Sequence, residues 1–233
     1  MPRRPIATSS LLISHVVLIG LTPLIPIPIL DDVVKAFLER RLTRELAAQH
    51  GIILSDDDVK VLAEGPGESI FASIGRGALL LPVRYLFRKI FFVLEVKRAS
   101  DAASACFHRG YLLDAAFARG AKPPKPPAAA LRGALDATVA ETNHSPIGAA
   151  FGLVFEGSKS LLKQATKAIL KAATGMGRAP TERAVRDAVD GAASGGPFDA
   201  LVDRVRNAAT TVPDAYFEAL ERRFEARLNS LDR

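Results

Sequence analysis

The stretch "SSLLISHVVLIGLTPLIPIPILDD", residues 9–32, decides how the chain folds. From Pro5 to Leu30 no residue carries a full charge. Drawn as one helix, Leu11–Leu30 would measure about 30 Å, the thickness of a bilayer core. Its prolines argue against a single span. Pro23, Pro26 and Pro28 remove backbone donors and clash with the preceding turn, so a first helix stops near Gly20 or Leu21 and an extended "PLIPIP" elbow follows. Arg3 and Arg4 precede the run and Lys35, Arg40, Arg41 and Arg44 follow it, so a single crossing would leave positive charge on both sides. Two arrangements remain: a shallow hairpin with both ends on the cytoplasmic side of a membrane, or two antiparallel helices at the centre of a bundle. The start imitates a signal peptide, with two arginines ahead of an apolar run, but prolines stand where small cleavage-site residues belong.

After the elbow, Leu30, Val33, Val34, Phe37, Leu38, Leu42 and Leu46 recur at three- and four-residue spacing, which is one face of an amphipathic helix. Asp31 and Asp32 suit its positive N-terminal end, and Gly51 is placed to cap its C-terminus. Ser55 and Asp58 form a capping-box pattern that starts a short helix through about Ala63. A long helical stretch opens at Pro82 and runs to about Arg119, either unbroken or kinked near Ala99–Asp101.

"GAKPPKPP", residues 120–127, has the composition of an extended polyproline linker. It divides the chain into an N-terminal helical unit, residues 1–119, and a C-terminal one, residues 128–233. In the second unit helices are expected at about 128–142, 146–174, 181–190, 197–209 and 213–231, with proline near several starts and glycine between them. In the last of these, Phe217, Leu220, Phe224, Leu228 and Leu231 fall on one stripe.

The whole is therefore read as all-α, a multi-helix bundle carrying an N-terminal apolar helix, proline elbow and helix. With 48% apolar residues in 233 the chain has enough material for a sizeable core, and the scarcity of aromatics favours helices over a sheet. The single cysteine, Cys106, excludes an internal disulfide.

A formal charge of +6 makes an anionic partner plausible, and its placement is more informative than its size. Lys159, Lys163, Lys167 and Lys171 follow one another every four residues, with no acid between Gly157 and Thr181. At 100° per residue they cover a band about 120° wide, opposite Leu161, Leu162, Ala165, Ala168, Ile169 and Ala172, and Leu170 alone falls on the lysine side. A band of this kind suits anionic lipid headgroups, phosphates of a nucleic acid, or simply water on the outside of a bundle. "VRYLFRKIFFVLEVKR" interleaves Arg84, Arg88 and Lys89 with Phe91 and Phe92, a pattern of interfacial helices. No RNP-like strand accompanies these rings, which ranks nucleic acid behind lipid as the partner.

The search for chemistry is short. His15, His50, His108 and His144 lack a second ligand at helical zinc spacing, so no metal or cofactor is expected. Cys106 and His108 point about 200° apart on a helix and cannot act together as nucleophile and base. The glycine pairs match neither a dinucleotide fingerprint nor a phosphate loop. Nothing recognisable as a catalytic motif is present, and an enzyme is the less favoured class.

"IPIPILDDVVKAFLERRLTRELAAQHG", residues 25–51, resembles a bacterial helical domain of unknown function that is often appended to GTPases. Pro26, Pro28, Asp31, Leu46, Ala47 and Gly51 match its pattern, and His50 stands where tyrosine is usual. The resemblance implies a membrane-associated helical domain rather than an enzyme, and it carries over no functional residue.

The expectation is thus a helical protein on the cytoplasmic side of a membrane, peripheral or re-entrant. Leu11, Leu12, Val16, Ile19, Leu24, Ile25 and Ile27 would meet lipid tails, and the basic and aromatic residues of 84–92 and 159–171 would meet the headgroups. The alternative is a soluble cytoplasmic helical module that binds a protein partner and keeps the same apolar run as its core.

Overall fold

Ser9 starts the first helix. Its side chain accepts a hydrogen bond from the Leu12 amide at 3.2 Å, satisfying one of the donors that a helix N-terminus leaves without a partner. The structure, a computed structural model, describes residues 5–25, 30–65, 88–142, 145–173, 182–193 and 196–231. The side chains at 30, 88–93, 170, 172–173, 182 and 192 are outside that description.

Among the described residues the chain forms ten α-helices and no strand. They are α1 (Ser10–Leu21), α2 (Leu30–Gln49), α3 (Asp56–Glu64), α4 (Arg88–Ala118), α5 (Ala128–Ala140), α6 (Pro146–Gly157), α7 (Lys159–Ala173), α8 (Glu182–Ala192), α9 (Gly196–Thr211) and α10 (Asp214–Leu231). Short 3-10 turns, Pro5–Thr8 and Thr22–Leu24, flank α1. No described helix is long and apolar enough to cross a membrane.

Helix α1 occupies the centre of the bundle. It lies along α4, with α2 and α9 against its other sides. Leu12, Val16, Ile19, Leu24 and Ile25, expected above to meet lipid, are in the protein interior, and Leu11 is half-buried. Protein takes the place of lipid because α4 is 31 residues long and runs past α1, α2, α5 and α6. Ile27 and Arg84 lie outside the described residues.

Two glycines set how closely the helices approach. A Cβ added at Gly20 would stand 2.7 Å from Phe155 Cζ and 3.1 Å from Ala103 Cβ. One added at Gly110 would stand 2.5 Å from Leu12 Cδ1. Such contacts cannot be relieved cheaply, since Leu12, Ala103 and Phe155 are all fully buried.

The helix signals of the first half operate as expected. Gly51 takes a left-handed conformation with φ 65°, and the Ile52 amide returns to the Ala47 carbonyl at 2.9 Å, closing α2 in a Schellman arrangement. The Ser55 hydroxyl accepts from the Asp58 amide and donates to the Asp58 carboxylate. Arg132 of α5, nearly fully buried, donates to the Leu62 and Ala63 carbonyls and to Asp136, so it caps the C-terminal end of α3 from another part of the chain.

Two expectations of the second half are corrected. Residues 120–127 do not run extended: the Lys125 amide bonds the Lys122 carbonyl at 3.0 Å in a tight turn, and Pro126 is buried. The helices before and after it share one core, in which Leu131 and Leu135 join Phe107 and Leu113. The helix expected over 146–174 is two helices, parted at Ser158. Ser158 is buried, its amide bonds back to Phe155, and Arg204 of α9 donates to its hydroxyl at 3.0 Å, so tertiary contacts fix the break.

The glycines give a paired test. Gly20→Val should destabilise the protein by about 1–3 kcal/mol through overpacking against Phe155. Gly133→Ala, on an exposed position of α5 with open space around it, should be neutral or stabilising by up to about 1 kcal/mol. Urea denaturation midpoints of the two variants would separate them.

Candidate anionic-surface interface

The lysine band of the sequence becomes the outer face of α7. Lys159, Lys163, Lys167 and Lys171 are all exposed, and so are Ser160, Gln164 and Ala168 between them. Leu162, Ala165, Thr166 and Ile169 are buried on the opposite side, where α7 packs on α8 and α9 and touches α1. Ala168, expected on the apolar side, is exposed at the edge of the band. From Lys159 to Lys171 the row extends about 18 Å along the helix axis.

This face has three physical properties. It carries four ammonium groups and no acid from its own helix. Its described members besides the lysines are serine, glutamine and alanine. The apolar side of α7 is already spent on the bundle, so the helix cannot turn that side toward lipid tails without leaving its place in the core.

The other expected contact region is only partly in view. Arg88, Lys89, Phe91 and Phe92 belong to the first turns of α4, but their side chains lie outside the described residues. Farther along α4, Leu94, Lys97 and Arg98 are exposed, and Lys97 pairs with Asp101 at 3.2 Å.

Helix α4 also carries the polar contacts of the interior. Buried His108 accepts a hydrogen bond at Nε2 from the Tyr216 hydroxyl at 2.5 Å, and its Nδ1–H donates to the Ser104 carbonyl at 2.6 Å. The Tyr216 oxygen is also bonded by Ser145, which caps α6 by accepting from the Gly148 amide. Three residues on, the Tyr111 hydroxyl donates to buried Glu221 at 2.6 Å, and Arg119 pairs with Glu221 and Glu225. His50 meets Asp114 at 2.7 Å. The pairs His108–Tyr216, Tyr111–Glu221, Arg119–Glu225 and His50–Asp114 join residues far apart in sequence, and no short motif announces them.

Burial sets the protonation of this interior. It pushes His108 down to about 4, with the Ser104 carbonyl opposing only in part, so the imidazole is neutral and able to accept from Tyr216. It pushes the Cys106 thiol far up, which leaves the sulfur protonated and a poor nucleophile. His15 is lowered for the same reason. Its Nδ1–H donates to the Leu11 carbonyl at 2.8 Å, while Nε2 lies 3.9 Å from Glu45 with no hydrogen-bond partner.

No cluster of three metal-ligating residues occurs among the described residues. A cavity of about 20 Å³ between α2, α3 and α4, lined by Glu39, Thr43, Cys106 and Arg109, has room for about one water molecule. His108, Tyr216 and Ser145 are consumed in holding α4, α6 and α10 together. The exposed row on α7 is a feature that a partner can reach.

The His108 contact generates a pH dependence with a definite sign. Its folded value near 4 lies below the unfolded value near 6.5, so the stability it contributes is present above pH 6.5 and is lost as the pH falls through about 4. The loss is on the order of 3 kcal/mol. Urea midpoints measured between neutral pH and pH 4 should fall steeply for the wild type and less steeply for His108→Gln.

No family model, curated protein or solved structure matches the chain.

Proposed function

We propose that this protein is a non-enzymatic helical module that docks peripherally on the anionic cytoplasmic face of a membrane through the lysine face of α7. The observation that carries the reading is the outward row Lys159, Lys163, Lys167 and Lys171, without an acid from its own helix and held in place by a buried apolar side. The resemblance of residues 25–51 to a membrane-associated helical domain points the same way.

The strength of such docking follows from the charges. Each lysine near the headgroups contributes roughly 1 kcal/mol, so four supply about 4 kcal/mol, which corresponds to about millimolar affinity. Attachment by this face is therefore reversible. Stable residence needs a second contact or several copies acting together.

A second reading has its own support. Because α1 is covered by α2, α4 and α9, the fold requires no lipid, and the lysine face could equally receive an acidic protein surface. Vesicles distinguish the two. At low salt the protein should sediment with mixed phosphatidylglycerol–phosphatidylcholine vesicles and not with phosphatidylcholine alone, and high salt should release it. The double variant Lys163→Gln/Lys167→Gln should require about thirtyfold more lipid. Absence of the wild type from the anionic vesicle pellet would overturn the membrane reading, as would tighter binding to duplex DNA than to vesicles.

A further inference from the structure

Within the lysine face stands one residue able to reverse its charge. Ser160 is exposed in the first turn of α7, next to Lys159 and one turn before Lys163. On the helical wheel it lies about 20° from Lys167 and from Lys171. The neighbouring hydroxyls are not comparable, since Ser158 is buried and bonded by Arg204, and Thr166 is buried on the core side. We propose that Ser160 is a phosphorylation site whose modification releases the lysine face from anionic lipid. The inference rests on the docking function above and adds its regulation.

The chemistry is transfer from a nucleoside triphosphate by a kinase that prefers basic substrates. Ser160 Oγ bonds to the γ-phosphorus, the bond from that phosphorus to the bridging oxygen breaks, the diphosphate leaves, and the hydroxyl proton passes to the kinase's base. Access requires only the first turn of α7 to open. Helix ends fray readily, and the break at Ser158 means that no helix continues through this point.

The consequence is electrostatic. A phosphate adds nearly two negative charges beside the four lysines. Its oxygens are within one helical turn of Lys163 and compete there with lipid phosphates. The same group sits at the positive end of the α7 dipole, where negative charge is favourable. Lipid binding should fall while the fold is unchanged or firmer, a combination that unfolding cannot imitate.

The test uses the full chain with phosphoserine incorporated at position 160, alongside Ser160→Glu and Ser160→Ala. Vesicles are mixed phosphatidylglycerol–phosphatidylcholine. The phosphorylated protein should need about thirtyfold more lipid than wild type, Ser160→Glu about fivefold more, and Ser160→Ala the same amount. Thermal midpoints of the phosphorylated and Ser160→Glu forms should equal or exceed that of wild type. If wild type binds and the phosphorylated form binds equally well, the proposal is overturned and the docking function stands. If wild type itself does not bind, both fall. A lowered thermal midpoint accompanying weaker binding would also overturn the proposal, since loss of fold would then account for the release.

Discussion

The constraint on which the rest of the structure depends is the need to cover α1 on every side. A helix with one apolar stripe can rest on a surface, but α1 has only a narrow polar stripe: Leu12, Ile13, Val16, Val17, Leu18, Ile19 and Leu21 point round most of the axis and all are buried. Each large apolar side chain taken from water contributes about 1.5–3 kcal/mol, so leaving any side open would forfeit several of these contributions together. The length of α4, the packing of α2 against α1, and the placing of α9 on another side all answer that need. Gly20 and Gly110 let the cover come close enough to exclude voids.

Apolar burial alone would permit many arrangements, because it has no direction. The contacts along α4 remove that freedom. His108 to Tyr216, Tyr111 to Glu221 and Arg119 to Glu225 follow in order along both helices, and fix the register of α10 on α4. Breaking either of the first two leaves a buried polar group without its mate, which costs more than the bond's own net contribution. The phenyl rings of Phe107 and Phe217 pack between these contacts, so packing and hydrogen bonding specify the same alignment.

Features set by neighbours in sequence were legible there. The stop of α1 near Leu21, the cap at Gly51, the capping box at Ser55 and the outward lysines of α7 all depend on residues within a turn or two of one another. Features set by distant residues were not. Nothing in "FEGSKS" states that the helix must break at Ser158, because the break depends on Arg204, some 46 positions away. The turn at 122–125 is likewise closed by a backbone bond that composition does not foretell. Whether lipid or protein covers residues 9–25 is the same kind of question. An apolar run fits either solvent equally well, and the answer comes from the helices that pack upon it.

That answer reaches the candidate interface as well. An amphipathic helix can give its apolar side to lipid or to its own domain, but not to both at once. In α7, Leu162, Ala165 and Ile169 belong to the domain. In the proposed docking those side chains supply no anchor, so the attraction would vary with salt and with surface charge more than that of an inserted helix. A face built this way is suited to contacts that form and dissolve.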